Sequence, residues 1–232
     1  YYMALSTSIS GVFTPQINRI VARGEGDEQL TKLFTRVGRI QFMLLMLVLT
    51  GFVFVGKPFI CAWGGEEYGA AYWIALLLIA PVTVPLIQNI GIEIQRAKNM
   101  HQFRSKVYFC MAIGNALVSI PLGMKFGGIG CALGTAISMV VGNGFIMNWY
   151  YQTHIGLDMR YFWKHILSIV PAMLPAVALG IIAVRLHTFT GYAGVVTFAV
   201  PYAAVYAVGL YLFAMDESEK DMARGVMRKI RR

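Results

Sequence analysis

The chain has 232 residues, of which 57% are hydrophobic and only 13% charged, where a soluble globular domain carries about 25% charged residues; that balance argues against a soluble fold. The net charge of +9 would suit nucleic acid, but Lys and Arg fall in short clusters between apolar runs and form no continuous basic face, so we read the charge as membrane topology and expect no nucleic-acid partner. Cys61, Cys110 and Cys131 have no CxxC spacing and are odd in number, which indicates neither a disulfide framework nor a zinc site and leaves them as buried small hydrophobes.

Seven charge-free or nearly charge-free runs follow one another: Tyr1 to Asn18, Ile40 to Gly56, Tyr68 to Ile92, Val107 to Met124, Phe126 to Thr153, Ile166 to Val184 and Thr188 to Met215. A hydrocarbon core of about 30 Å takes roughly 20 apolar residues of helix, and a lipid-exposed segment must satisfy its own backbone hydrogen bonds. The expected class is therefore all-α, a polytopic membrane helical bundle in contact with the lipid bilayer. Tyr1 already lies inside an apolar run, with no initiator Met and no basic leader before it, so the start does not resemble a signal peptide and the chain reads as a fragment.

The connections alternate in charge. Arg19, Arg23, Lys32, Arg36 and Arg39 fill the first, Arg96, Lys98, Arg104 and Lys106 the third, Arg160 and Lys164 the fifth, and the tail at 216–232 carries six more; Lys57, Lys125 and Arg185 stand alone in the others. Seventeen against three is a positive-inside pattern that puts the first segment running outside to inside and the C-terminus in the cytoplasm. Within the first connection Leu30, Leu33, Phe34, Val37 and Ile40 recur at helical spacing, which predicts a separate amphipathic helix lying in the headgroup plane, as a gate, an anionic-headgroup contact or a simple anchor.

Pro81 with Pro85 and Pro171 with Pro175 stand four apart inside runs; each pair removes consecutive-turn hydrogen bonds and should bend its helix, as a hinge or a fixed kink. The stretch Ile120 to Thr135 joins two spans through Gly127 and Gly128, a glycine turn that predicts a helical hairpin, while Gly130 and Gly134 share a face that lets another helix approach closely. Polar residues inside the runs are few: Gln88, Asn89, Glu93, Asn115, Asn143 and Asn148. Such groups usually face a partner or a wet cavity. Asn89, Glu93 and Arg96 share one helix face, either along a substrate or ion path or as an interfacial Glu93–Arg96 pair with Asn89 bonding a neighbouring helix. Asn143 and Asn148, five apart, face different ways on an α-helix, which leaves one of them to helix packing.

No catalytic constellation is visible, and an enzyme is not expected. His101, His154, His165 and His187 lie in connections without metal-ligand spacing, so no metal and no cofactor is expected. Gly128, Gly130 and Gly134 form GxGxxxG, but no βαβ unit surrounds it.

Four stretches then carry a resemblance: SGVFTPQINRIVARGEGDEQLTKLF with Pro15, Arg19, Gly26, Asp27 and Phe34; WGGEEYGAA with Gly64, Glu66, Glu67 and Tyr68; RAKNMHQF; and Asn115 through IPLGMKFGGIGCALGT with Gly127, Gly130, Ala132 and Thr135. In order and spacing they resemble the C-terminal half of polysaccharide flippases of the multidrug/oligosaccharidyl-lipid/polysaccharide (MOP) exporter superfamily, over residues 1 to 150. The resemblance implies a MATE-like second lobe over residues 1–153 with five spans, two additional transmembrane helices over 154–215, and a basic cytoplasmic tail over 216–232. It implies alternating access between two helical lobes, with the N-terminal lobe and seventh helix missing from this chain, which should then be inactive alone.

The implied function is movement of an undecaprenyl-diphosphate-linked oligosaccharide across the bacterial inner membrane, with a polysaccharide polymerase and glycosyltransferases as further partners. Arg19, Arg23, Arg96 and Arg104 would meet the anionic headgroup, and Gln88, Asn89, Asn115 and Asn143 would bond sugar hydroxyls. No Lys or Arg lies deep in any run, so a cavity site for the diphosphate is expected in the absent lobe or not at all. Alternatives are a cation-coupled multidrug exporter, for which only Glu93 offers a carboxylate, a lipid II flippase, and, from another class, a non-transporting membrane scaffold.

Overall fold

Helix α1 (Tyr2–Arg23) is followed by α2 (Asp27–Gly64), a short 3-10 turn (Glu66–Ala70), α3 (Ala71–Ile87), α4 (Ile90–Ala97) and α5 (Gln102–Met139). The last runs on without a break through a π-helix (Val140–Met147), α6 (Asn148–Tyr150) and a second π-helix (Tyr151–Ile155); α7 (Met159–Leu167), α8 (Val170–Leu186) and α9 (Gly191–Phe213) follow. The computed structural model describes residues 1–217, 219–221 and 224, and among them there is no strand. The fold is an all-α bundle.

Among the described residues five helical stretches are long and apolar enough to cross a membrane: Asp27–Gly64, Glu66–Ile87, Gln102–Ile155, Met159–Leu186 and Gly191–Phe213. The third is two crossings. Gly127 takes φ 60° and ψ −140°, a backbone state open to glycine, and folds the stretch back on itself. The two arms then run antiparallel. Ser119 Oγ lies 3.3 Å from Cys131 O, Thr135 Oγ1 donates to Asn115 Oδ1 at 3.3 Å, and Tyr108 OH to Asn143 Oδ1 at 2.9 Å. The close approach expected at Gly130 and Gly134 is made by the hairpin's own first arm. A Cβ on Gly130 would collide with the Leu122 carbonyl, and one on Gly134 with Ser119. Gly130→Val should therefore wedge the arms apart, because backbone cannot swing away as a side chain can; a loss of about 1–3 kcal/mol is expected, read as a lowered unfolding midpoint in detergent.

Helix α1 is not among the five apolar stretches. Its protein-facing side carries Ser6 and Ser10 as well as Ile17 and Ile20, and Gln41 of α2 donates to Ser6 Oγ at 3.0 Å and Ser10 Oγ at 2.8 Å. The α1–α2 contact is thus partly polar.

The separate in-plane helix expected between the first two spans does not form. Residues 27–39 are the first turns of the 38-residue α2, which at 1.5 Å per residue is about 57 Å long and outruns a bilayer core. Their apolar face is covered by protein instead of lipid. Leu30, Leu33, Phe34 and Val37 join one buried cluster with Ile90 and Ile94 of α4 and Phe162 of α7, and the Phe34 and Phe162 rings lie 4.7 Å apart. That cluster also contains Phe198, Tyr202 and Tyr206 of α9, so residues on both sides of 153 share one core.

Both proline pairs stand near helix breaks. Pro171 cannot donate to Leu167, and the chain turns at Ser168 and Ile169 between α7 and α8. Gln88 and Asn89 separate α3 from α4, three residues past Pro85. Cysteine behaves differently from expectation: Cys110 and Cys131 are exposed and Cys61 is half-buried, all three free. In an apolar solvent a small thiol gains nothing by burial.

The charged connections gather at one end. Lys98 reaches Asp27 and the Ile155 carbonyl, Asp158 N donates to Thr31 Oγ1 at 3.1 Å, and Arg39 meets the segment after α9. At the other end Lys57, Glu66, Phe189 and Gly191 surround a common cavity. Of the basic tail, Arg228, Lys229, Arg231 and Arg232 lie outside the described residues.

Candidate functional site

Between α1, the α3–α4 break and both arms of the hairpin lies a groove of about 450 Å³. Asn89, Arg104, Asn115 and Asn143, four of the residues singled out from sequence, all line it. Each arrives on a different turn: Asn89 because α3 breaks beside it, Arg104 and Asn115 from the first arm, Asn143 from the π-helix of the second.

The groove has polarity along its length. At one end Arg104 Nη2 donates to Tyr108 OH at 2.6 Å, with its guanidinium carbon 4.5 Å from the centre of the same ring. Tyr108 passes its own proton to Asn143 Oδ1. Further along, Asn115 Oδ1 accepts from Ser119 at 2.6 Å and from Thr135 at 3.3 Å. With their oxygens engaged, Asn115 and Asn143 present amide donors to the groove. The rest of the lining is soft and apolar, with Met3, Met111 and Met139 beside Val82 and Pro85; methionine adapts to irregular apolar surfaces. Such a surface suits a ligand with an anionic group, several hydroxyls and an apolar portion.

Behind the groove sits a buried polar network. Gln88, 3% exposed, donates from Nε2 to Asn148 Oδ1 at 3.0 Å, and Trp163 Nε1 of α7 donates to the same oxygen at 2.7 Å. Asn148 Nδ2 in turn donates to the Asn143 carbonyl at 2.7 Å. That last bond joins the Asn148 side chain to a main-chain carbonyl of the π-helix, five residues back. The two side chains themselves part, Asn143 lining the groove and Asn148 joining Gln88 and Trp163 behind it.

The remaining candidates stand elsewhere. Glu93 and Arg96 form an ion pair at 2.9 Å, with the arginine 65% exposed, which is the interfacial-pair arrangement. Arg19 is exposed near the end of α1. Gln88 belongs to the network and not to the groove lining. Sequence reasoning missed Thr7, Tyr108 and Ser138 in the groove. For Tyr108 a signal existed, since it stands four residues after Arg104 on one helix face. It also missed Arg39, which is 5% exposed and bonded to Glu219 through Nε at 2.8 Å and Nη2 at 2.9 Å.

Among the described residues no group of His, Cys, Asp or Glu is arranged to hold a metal ion. No family model, no curated protein and no solved structure matches the chain.

Proposed function

We propose that this chain is one lobe of a membrane flippase of the MOP type, MATE-like in architecture, which moves an undecaprenyl-diphosphate-linked oligosaccharide across a bacterial inner membrane with its basic end in the cytoplasm. The observation that carries this reading is the groove, where a single cation, a row of carboxamides and hydroxyls, and a methionine-rich apolar wall lie side by side. The diphosphate pairs with Arg104, the sugars hydrogen-bond Asn89, Asn115 and Asn143, and the start of the prenyl chain lies against Met111 and Met139. The groove is open on one side, and a facing lobe would close it; rocking of the two lobes would then expose it to each side in turn.

Arg104 changes one expectation, since a cation does reach the groove on this lobe. Glu93 weakens the coupled-exporter alternative, because its partner is Arg96 on the surface and it does not line the groove.

The chain in nanodiscs, offered a photoactivatable undecaprenyl-diphosphate trisaccharide, should crosslink at groove residues. Arg104→Gln should weaken labelling about tenfold, as expected when a charge-assisted contact is lost. Equal labelling of wild type and variant, or crosslinks spread over the outer faces of α8 and α9, would overturn the proposal.

A further inference from the structure

Helix α1 comes down to Arg23 and α2 rises from Asp27, and the open cleft between them is about 350 Å³, lined by Gln16 and Ile20 from α1 and Gln29, Lys32, Leu33 and Arg36 from α2. No carboxylate lines it. Lys32 is paired with Glu28 at 2.6 Å but remains 62% exposed, whereas Arg36 is exposed and has no acidic or hydrogen-bonding partner among the described residues. Two carboxamides complete the polar floor. One turn or two further along the same helix faces stand Val12 on α1 and Leu44 on α2, 74% and 43% exposed, so the cleft is cationic and polar at its base and apolar above.

We infer that this α1–α2 cleft binds the phosphate headgroup of an anionic phospholipid, with Arg36 and Lys32 on the phosphate and an acyl chain along Val12 and Leu44. Three observations select a lipid over other anions. The cleft sits where the charge-free run beginning at Ile40 meets the basic end of the bundle, the depth of a lipid phosphate. Its charge is complementary to an anionic leaflet, whose attraction acts on each basic side chain near the surface. A soluble phosphate or an acidic peptide would leave the apolar strip above Arg36 unused. The site is separate from the transport groove: Thr7, which lines that groove, and Gln16 are nine residues apart, on opposite faces of α1. The inference therefore does not depend on the proposed cargo.

The test uses the full chain in nanodiscs of phosphatidylcholine with increasing fractions of phosphatidylglycerol, and counts retained lipids by native mass spectrometry. Wild type should hold one phosphatidylglycerol selectively. Arg36→Ala should weaken retention about fivefold and Arg36→Glu about 25-fold, following the loss of one and two charge units. Arg36→Lys should keep it, and Arg160→Ala, an exposed cation of α7 outside the cleft, should change nothing. Since Arg36 is exposed, the unfolding midpoint should stay at the wild-type value in every variant. Equal retention by Arg36→Glu and wild type, an equal loss in Arg160→Ala, or complete displacement of the lipid by inorganic phosphate would each overturn the inference, the last by assigning the cleft to a free anion.

Discussion

Arg39→Ala is expected to destabilise the bundle by about 3–5 kcal/mol, the cost of leaving a buried charge without its partner. The side chains of Arg39 and Glu219 are 6% and 4% exposed, and Nε and Nη2 of the guanidinium grip the two carboxylate oxygens at 2.8 and 2.9 Å. The same guanidinium donates to His165 O at 3.1 Å and Ala214 O at 2.6 Å, carbonyls at the C-terminal ends of α7 and α9, where helices lack internal donors. One side chain of α2 thus closes two helix ends and fastens the segment that follows α9. An unfolding titration in mixed detergent micelles measures the effect. Arg39→Lys should recover only part of it, because a single ammonium cannot form the two-pronged contact and also reach both carbonyls. Arg39→Met combined with Glu219→Leu should return to within about 2 kcal/mol of wild type, since a buried pair exchanged for apolar side chains costs little. A loss below about 1 kcal/mol for Arg39→Ala would show that the contact is not formed in the folded protein.

Asn148→Leu is expected to cost about 2–4 kcal/mol. The Asn148 oxygen accepts from both Gln88 and Trp163, and its amide ties back to Asn143, so leucine strands one buried and one half-buried donor at about 1–3 kcal/mol each. Single hydrogen bonds inside membrane proteins average lower, about 0.6 kcal/mol, because an unfolded helix in lipid also finds partners; the expected value sits where two bonds to one atom are lost together. A spectroscopic signature separates this from general loosening. The chain has four tryptophans, and only the Trp163 indole proton should lose its hydrogen-bonded chemical shift. If all four indole signals move together, or none does, Asn148 is not the acceptor.

The two substitutions sit at opposite limits of what the residue string reveals. Asn148 is visible as a polar residue in an apolar run, but its partners are not, because Gln88 and Trp163 lie 60 and 15 residues away on other segments. In the sequence Arg39 is one of five cations in a charged connection. Its partner lies 180 residues away, and no local pattern links the two. The amphipathic stretch from Leu30 to Ile40 was recognised as helical, yet its apolar face met α4 and α7 in place of lipid. A hydrophobic face states that it must be covered and leaves open by what. Gly127 is the contrasting case, where a glycine between two long runs carried the turn in its own backbone freedom.

Helix content, the all-α bundle, the fold-back at Gly127 and the gathering of charged connections at one end were present in the residue order itself. Each follows from sums over neighbouring residues: apolar length against bilayer thickness, and alternation of charge between runs. The groove of Asn89, Arg104, Asn115 and Asn143, the Gln88–Asn148–Trp163 network and the Arg39–Glu219 contact were decided only when the helices packed. They join side chains from separate helices, and which faces meet depends on close-packed shape and on local changes of helical pitch, neither of which a one-dimensional pattern contains.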